Sequence, residues 1–497
     1  MASRRPIGKP VGLVLLAAAF VILSVSNGRF AVPSAIWLGA PLALVGLRAL
    51  PPRLALGVGV AGFMAVYIVQ SAGVINLDPP LSLLIGAGFG VVGFIAYAID
   101  RMIRPRLSGV AANLVFPLAL CSVEFAMGRL SPYGTFGSIA YSQSTNLALL
   151  QTLSVTGLWG VTFLVAWLAS TLADLATLAD VSRRTLAPAL VFLGIFVVAL
   201  GWGELRPAGS GTPSTVRVAA ISPRASDGFP FIEAVGDRCL DHRCDPFRTR
   251  AALIQDELLQ KSRREALAGA RVILWSEDAG TVFKADEPAF VERGRALARE
   301  QRVTLVMALQ VLTPGAPLAE NKVVVAGPDG EIEARYEKSR PVPGDPDLPG
   351  KGPIPVVPTA VGRMATAICF DLDFPPLMRQ VGRSAADVLM VPASDWREID
   401  PLHAEMAVFR GIENGAALVR ATRRGLSIAT DAYGRRIGTL DFFSAADRTM
   451  VANIPDHGVR TIYALVGDLF AWLGVIGLAG VIVAAVRSRN AHAPSVV

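Results

Sequence analysis

Three residues in the second half of the chain could together make or break an acyl bond: Glu277, Lys338 and Cys369. Each stands where an apolar, strand-like run ends. Glu277 follows VILW, Lys338 closes EIEARYEK and Cys369 follows RMATAI, and open α/β sheets present their chemistry at strand ends. A thiol needs a base to become a thiolate at neutral pH, and a carboxylate in an apolar pocket can take its proton. A lysine ammonium can hold that carboxylate charged, or face the oxyanion that forms when a carbonyl is attacked. Each residue also has a plain structural reading: a strand end or helix cap for Glu277, a surface lysine for Lys338, a buried core thiol for Cys369. The chain has 4 histidines, and only His403 lies near this region. A carboxylate base is therefore favoured over a cysteine–histidine mechanism, and His403 reads as a structural residue at a helix start.

The elements that must position these residues are legible around them. Strands are predicted at 216–222, 271–278, 303–312, 363–370 and 387–394, with helices over 248–269, 287–301 and 403–415, the last ending at a capping Gly415. NKVVVAGP and EIEARYEK flank Asp329-Gly330, a hairpin signal. ALVRATR, GLSIATD and RTMVANIP close the region as further strands. Helices alternating with apolar strands, plus hairpins, predict a mixed α/β sandwich with helices covering the sheets. Arg410 and Glu413 fit a structural ion pair on the last helix.

The rest of the chain is too apolar for a soluble protein of its size. Of 497 residues, 52% are hydrophobic and 18% charged, and the mean hydropathy is +0.48. Apolar stretches able to span ~30 Å of hydrocarbon lie near 10–27, 33–50, 54–75, 81–99, 108–128, 152–178, 186–203 and 463–486. The first reads as a retained anchor, since no small-residue cleavage site follows it. Basic residues gather in alternate loops: Arg4, Arg5 and Lys9; Arg48 and Arg53; Arg101, Arg104 and Arg106; Arg183 and Arg184; Arg487 and Arg489. The positive-inside rule then puts both termini in the cytoplasm and the mixed-charge region after the seventh span outside it. The net charge of +7 is largely this bias, and no nucleic-acid motif accompanies it. Glu124, inside a span, reads as interfacial or facing lipid headgroups.

This topology changes how the cysteines read. Cys121 lies in a span. Cys239 and Cys244, in DRCLDHRC, suit a local disulfide in an exported loop, with a metal pair beside His242 the weaker option. Cys369 then has no obvious partner.

VILWSEDA, ARYEKSRPVP and ICFDLDFP resemble, in order and spacing, the three signatures of the nitrilase, or carbon–nitrogen hydrolase, superfamily. The likeness continues through SDW (394–396), HAEMAVFRGIENGAALVRAT and GLSIATDAYGR. A domain of that kind between seven N-terminal spans and one C-terminal span, with the segment 133–170, resembles the apolipoprotein N-acyltransferase family. The resemblance implies a multi-span helical membrane domain (1–204), an exported αββα nitrilase-like sandwich (205–460), and a last span with a cytoplasmic tail (461–497). It also implies a Glu277–Lys338–Cys369 triad without metal or cofactor, in a bacterial cytoplasmic membrane. Cys369 would take an acyl chain from a phospholipid as a thioester and pass it to the amine of a diacylglyceryl-cysteine lipoprotein. Glu277 would move the protons, and Lys338 and the Phe370 N–H would face the oxyanion. Phe370, Asp371, Asp345 and Trp396 are implied as substrate-binding positions, although Trp396 reads equally as an interfacial anchor.

The chain departs from the family pattern at Ser276, in VPGD, at Phe370 and Asp371, and in SPRAS. These loops shape the pocket, so a different amine acceptor stays open. So do a membrane-anchored amidase with water as final nucleophile and a non-catalytic receptor, scaffold or transporter. The topology is testable in a background with Cys121 and Cys369 replaced by serine. Lys351→Cys should react with a membrane-impermeant maleimide in intact spheroplasts, and Arg106→Cys only after permeabilisation. The opposite pattern would invert the orientation.

Overall fold

The computed structural model describes residues 6–179, 182–208, 214–224, 226–227, 244–316 and 318–491. The chain divides into two units, Met1–Gly209 with Val466–Val497, and Ser210–Leu465.

The first unit is helical because its sequence is apolar over whole helix lengths. Among the described residues six helices are long and apolar enough to cross a membrane: Pro52–Ser71, Leu81–Arg106, Gly109–Leu130, Leu158–Ala176, Thr185–Ala208 and Leu469–Ser488. The first two expected spans are shorter, Lys9–Ser24 and Pro33–Ala49, at 16 and 17 residues. They pack closely through small residues, as membrane helices do. A Cβ added at Gly46 would lie 2.6 Å from Leu16 Cγ, and one at Gly39 would lie 2.7 Å from Leu23 Cγ.

Two expected boundaries move. The span expected at 152–178 begins at Leu158, because Gly157 (φ +63°) breaks it from the short helix Leu153–Thr156. The last span starts at Leu469, separated at Gly467 (φ +63°) from the short helix Ile462–Val466.

Charged side chains inside this unit are met by counter-charges or by hydrogen-bond donors. Arg48 donates to both carboxylate oxygens of Asp100 (2.8 and 2.9 Å) and to Asp174 (3.0 Å), which also accepts from Arg104 and Asn113. Glu124 is not aimed at headgroups as expected. It accepts from Ser138 Oγ and Thr162 Oγ1, both at 2.6 Å, and from the Ile139 N–H at 2.8 Å, which ties three segments together.

The second unit contains two sheets. The first holds β1 (Thr215–Ile221), β2 (Val272–Trp275), β3 (Gly280–Phe283), β4 (Thr304–Leu312), β5 (Glu320–Ala326), β6 (Ile332–Glu337) and β13 (Thr449–Pro455). Its order is β13-β1-β2-β4-β5-β6, with β3 also beside β4. The second holds β7 (Val356–Thr359), β8 (Gly362–Thr366), β9 (Val388–Ser394), β10 (Ala417–Arg423), β11 (Leu426–Thr430) and β12 (Arg436–Asp441), in the order β12-β11-β10-β9-β8-β7. β1 and β2 pack on β10 and β9. Helices α1 (Asp245–Leu267) and α2 (Glu287–Gln301) cover the first sheet, while α4 (Leu402–Asn414) covers the second and α3 (Pro375–Arg383) packs on α4. This is the expected αββα sandwich. β2, β4 and β10 are buried along their whole length, which explains why they are largely apolar.

The local sequence accounts for most of these elements and misses a few. The Asp329-Gly330 turn joins β5 and β6 as an antiparallel hairpin, with Gly330 at φ +83°. Strands β3, β7 and β12 were not foreseen; they are short, and β7 and β12 lie at the two edges of their sheet. The strand expected over 363–370 ends at Thr366, and Cys369 opens a helical turn, Cys369–Asp373. Arg410 and Glu413 form the foreseen buried pair at 2.9 Å.

Gly415 ends α4 at φ +70°, and a Cβ there would meet the Val459 carbonyl oxygen at 1.8 Å. An alanine at φ > 0 is itself strained by about 1–2 kcal/mol. Gly415→Ala should therefore lower the unfolding midpoint measurably in a thermal melt of the detergent-solubilised protein. An unchanged midpoint would show that the loop carrying Val459 gives way freely.

Candidate active site

Glu277 lies two residues past the end of β2, where the Ser276 N–H still bonds the Ile221 carbonyl at 2.9 Å. Lys338 directly follows β6, pinned by its N–H to the Asn321 carbonyl at 2.9 Å and by its own carbonyl to the Gly350 N–H at 2.7 Å. Both side chains are 2% exposed, and Lys338 Nζ meets Glu277 Oε1 at 2.7 Å. Between their strands run β4 and β5, whose Gln310 and Asn321 face each other in register. Asn321 Nδ2 donates to Glu277 Oε1 and to Asp347 Oδ2, both at 2.8 Å. Gln310 Nε2 donates to Asp347 Oδ1 at 3.1 Å, and Lys338 Nζ lies 3.6 Å from Asp347 Oδ2. One carboxylate oxygen of Glu277 is thus held by a cation and an amide. The other, Oε2, is buried and has no hydrogen-bond partner among the described residues.

The electrostatics follow from burial and pairing. Burial alone would lower the Lys338 ammonium, but the charges of Glu277, Cys369, Asp347 and Asp345 outweigh it and hold the group well above its ordinary value. Next to Glu277, Asp278 is held well above the carboxylate range by burial, then by Glu277 and Asp347. Burial and the Asp347 and Glu277 charges push Asp345 up to about 6, against the pull of Lys338.

Cys369 comes from the other sheet. Its backbone sits at φ +45°, in the left-handed region. A non-glycine residue there costs on the order of 1–3 kcal/mol, strain often found at functional sites. Its Sγ lies 3.8 Å from the Ser394 carbonyl oxygen at the end of β9 and 4.0 Å from His403 Nδ1. The thiol is buried and pushed up to about 11, first by desolvation and then by the Glu277 charge, with His403 and Lys338 acting the other way. At neutral pH it carries its proton unless a neighbour removes it.

His403, at the start of a helix, also lies beside the thiol. Its Nδ1 lies 2.8 Å from Asp395 Oδ1 and its Nε2 lies 3.3 Å from Asp373 Oδ1. Arg420 on β10 clasps Asp395 with two bonds, at 2.9 and 2.8 Å. Cys369, Asp395 and His403 could each offer one metal ligand within 4.8 Å of one another. Asp395 and the imidazole are already committed to Arg420 and to each other, so this donor set does not suit an ion.

The remaining sequence-named positions are less central. Both oxygens of Asp371 are occupied: Oδ2 accepts from Tyr336 Oη (2.8 Å) and the Ile368 N–H (3.0 Å), and Oδ1 accepts from the Arg340 N–H (2.8 Å). Asp371 braces the turn that carries Cys369 and has little left for a substrate. Phe370 is buried edge-to-face on Phe374, with centroids 5.4 Å apart. Trp396 is half-buried in the turn after β9, and its carbonyl caps the Ile399 N–H at 3.1 Å. Asp345 is half-buried, while Asp347, two residues on, joins the polar row.

Asn321, Gln310, Asp347, Asp395 and Arg420 were not singled out from sequence. The available signal was a charged or amide side chain inside an otherwise apolar strand, as in ALVRATR. Cys244 is disulfide-bonded; the expected partner, Cys239, lies outside the described residues.

Comparison with known proteins adds to this geometry. Residues 255–463 match the Carbon-nitrogen hydrolase family, and residues 9–171 match the Apolipoprotein N-acyltransferase N-terminal domain. The chain is 26% identical over 439 residues to an apolipoprotein N-acyltransferase from Geobacter metallireducens, covering 80% of this chain and 78% of that one. It is 25% identical to one from Bradyrhizobium diazoefficiens (84% and 80% covered). With apolipoprotein N-acyltransferase 2 of Treponema pallidum it shares 24% identity, covering 92% of each chain.

Because the Glu277 charge holds the thiol up, Glu277→Gln should move the pH midpoint of Cys369 alkylation downward. Iodoacetamide labelling followed by peptide mass spectrometry across pH reads this directly. A midpoint that stays put would mean that the Glu277 charge does not act on the thiol, and one that rises would mean that the carboxylate favours the thiolate.

Proposed function

We infer the reaction from the family: the chain belongs to the apolipoprotein N-acyltransferases, and its activity is acyl transfer to lipoproteins. Cys369 is the nucleophile, Glu277 the general base and acid, and Lys338 the cation that orients Glu277 and faces the oxyanion beside the Phe370 N–H. The acyl donor is a membrane phospholipid, and the acceptor is the N-terminal amine of a diacylglyceryl-cysteine lipoprotein. One observation carries these roles: Glu277 presents one oxygen locked to Lys338 and Asn321 and a second buried oxygen without a partner. A carboxylate held in that way can accept a proton in one orientation only, beside a thiol too basic to ionise alone.

In the first half-reaction Oε2 takes the thiol proton, Sγ attacks the ester carbonyl, and the proton passes to the leaving lysophospholipid oxygen. In the second, Oε2 takes a proton from the lipoprotein amine as its nitrogen displaces Sγ. An ammonium has three donors, so Lys338 can keep Glu277 and still donate to the oxyanion. Splitting one hard transfer in two leaves a thioester that reacts readily with amines.

Both substrates are lipid-anchored, which suits a multi-span chain. The distribution of basic loops supports a catalytic unit on the extracytoplasmic side with both termini in the cytoplasm.

Intact mass spectrometry after incubation with a defined phospholipid should show an added acyl chain on the wild type, lost on hydroxylamine treatment and absent from Cys369→Ala. Lysophospholipid should appear with it. A chase with a diacylated lipopeptide should move the acyl group to the peptide amine. Glu277→Gln should form the adduct slower by ~10²–10⁴-fold. No adduct and no lysophospholipid on the wild type would overturn the phospholipid-donor route. An adduct that only water discharges would replace transfer with hydrolysis.

A further inference from the structure

The Cys369 thiol faces charge on two sides. The charges of Glu277 and Lys338 act on it from the first sheet. From the second come Asp373 on the turn after Cys369, Asp395 after β9, His403 at the start of α4 and Arg420 on β10, all buried. Asp371, on the same turn, points to Tyr336 and the Ile368 and Arg340 amides instead. Each ring nitrogen of His403 faces a carboxylate, Nδ1 at 2.8 Å from Asp395 and Nε2 at 3.3 Å from Asp373. An imidazole that donates from both nitrogens carries a positive charge. The Arg420 guanidinium lies 3.0 Å from Nδ1; having no acceptor atom, it is oriented by Asp395 rather than by a protonated ring. With the ring protonated, Asp395 serves two cations and Asp373 supplies the second negative charge that balances them.

We propose that His403 is a standing positive charge beside the nucleophile, an imidazolium that positions Cys369 Sγ and stabilises its thiolate, both when sulfur attacks and when it leaves. The idea rests on the acyl-transfer reading and deepens it, because a cysteine thioester route needs a good thiolate twice. In forming the thioester, the S–H proton goes to Glu277 Oε2, the S–C bond forms and the ester C–O bond breaks. In transfer, the C–N bond forms, the S–C bond breaks, its electron pair returns to Sγ, and the amine proton goes to Glu277 and from there to Sγ, restoring the thiol. His403 keeps both its protons throughout, so it is a positioning residue and not a second base. Burial would strip its charge, but Asp395, Cys369 and Asp373 outweigh that and keep the ring well above the ordinary histidine range. The 4.0 Å separation from Sγ suits charge stabilisation better than proton exchange. The Nδ1 proton points to Asp395 at 2.8 Å, which leaves the ring no free acceptor for the thiol proton.

Alkylation of Cys369 by iodoacetamide, followed across pH on the full chain in detergent micelles, tests this without any lipid. His403→Gln should raise the midpoint by about one unit or more, roughly tenfold slower labelling at pH values below both midpoints. His403→Asn, which removes the same charge with a shorter side chain, should raise it by a similar amount. A His403→Gln profile that superimposes on the wild type overturns the proposal. Should that variant fail to fold, a His403→Asn profile that superimposes on the wild type overturns it instead. Failure of the underlying reading looks different: the wild type then forms no acyl adduct, whatever the alkylation midpoints do. An adduct on the wild type with unmoved midpoints would sink His403 alone.

Discussion

The buried pair of Glu277 and Lys338 is the constraint around which the catalytic unit is arranged. Two opposite charges, each 2% exposed and 2.7 Å apart, lose most of their hydration. Their attraction offsets that loss only where the leftover donors and acceptors are also satisfied. Here that satisfaction comes from a row of side chains across the end of one sheet. Gln310 and Asn321, opposite each other on β4 and β5, hold Asp347, and Asn321 also holds Glu277. The row works because β2, β4, β5 and β6 are consecutive neighbours, so the residues at or just beyond their ends converge. One carboxylate oxygen is left out of the network, and that oxygen has chemistry available to it.

The thiol of Cys369 is supplied by the opposite sheet, through a different device. β8 stops short, the chain turns, and Cys369 is held at a positive φ by a turn that Asp371 braces from three directions. Setting the thiol on a strained turn, rather than along a strand, lets groups from both sheets reach it. The same desolvation that strengthens the ion pair raises the thiol, while the His403 and Lys338 charges act the other way.

The helical unit solves its own polar problem in the same way. Arg48 and Arg104, which read from sequence as loop charges marking the cytoplasmic side, are neutralised by Asp100 and Asp174, and Asn113 completes the cluster. Glu124 is spent on two hydroxyls and an amide. Unpaired charge in such an environment is costly, so the few polar side chains inside the unit act as ties between helices and leave the outer faces apolar.

What the sequence determined alone is whatever depends on residue type and short-range order. Long apolar runs specify spans, alternation and turn residues specify most strands, and capping specifies the end of α4 at Gly415. It also named Glu277, Lys338 and Cys369, because a carboxylate, an ammonium and a thiol at strand ends form a chemically coherent set. Tertiary structure decided what depends on register and on the meeting of distant strands. Asp347 joins the polar row while Asp345, two residues away, stays outside it, a difference that no local pattern carries. His403 looked like a helix-start residue because its partners lie 8, 17, 30 and 34 positions away in the chain. The end of β8 at Thr366 was hidden because Ala367 and Ile368 are as apolar as the strand before them. Hydropathy reports burial, and burial continues through the turn even though the pairing stops.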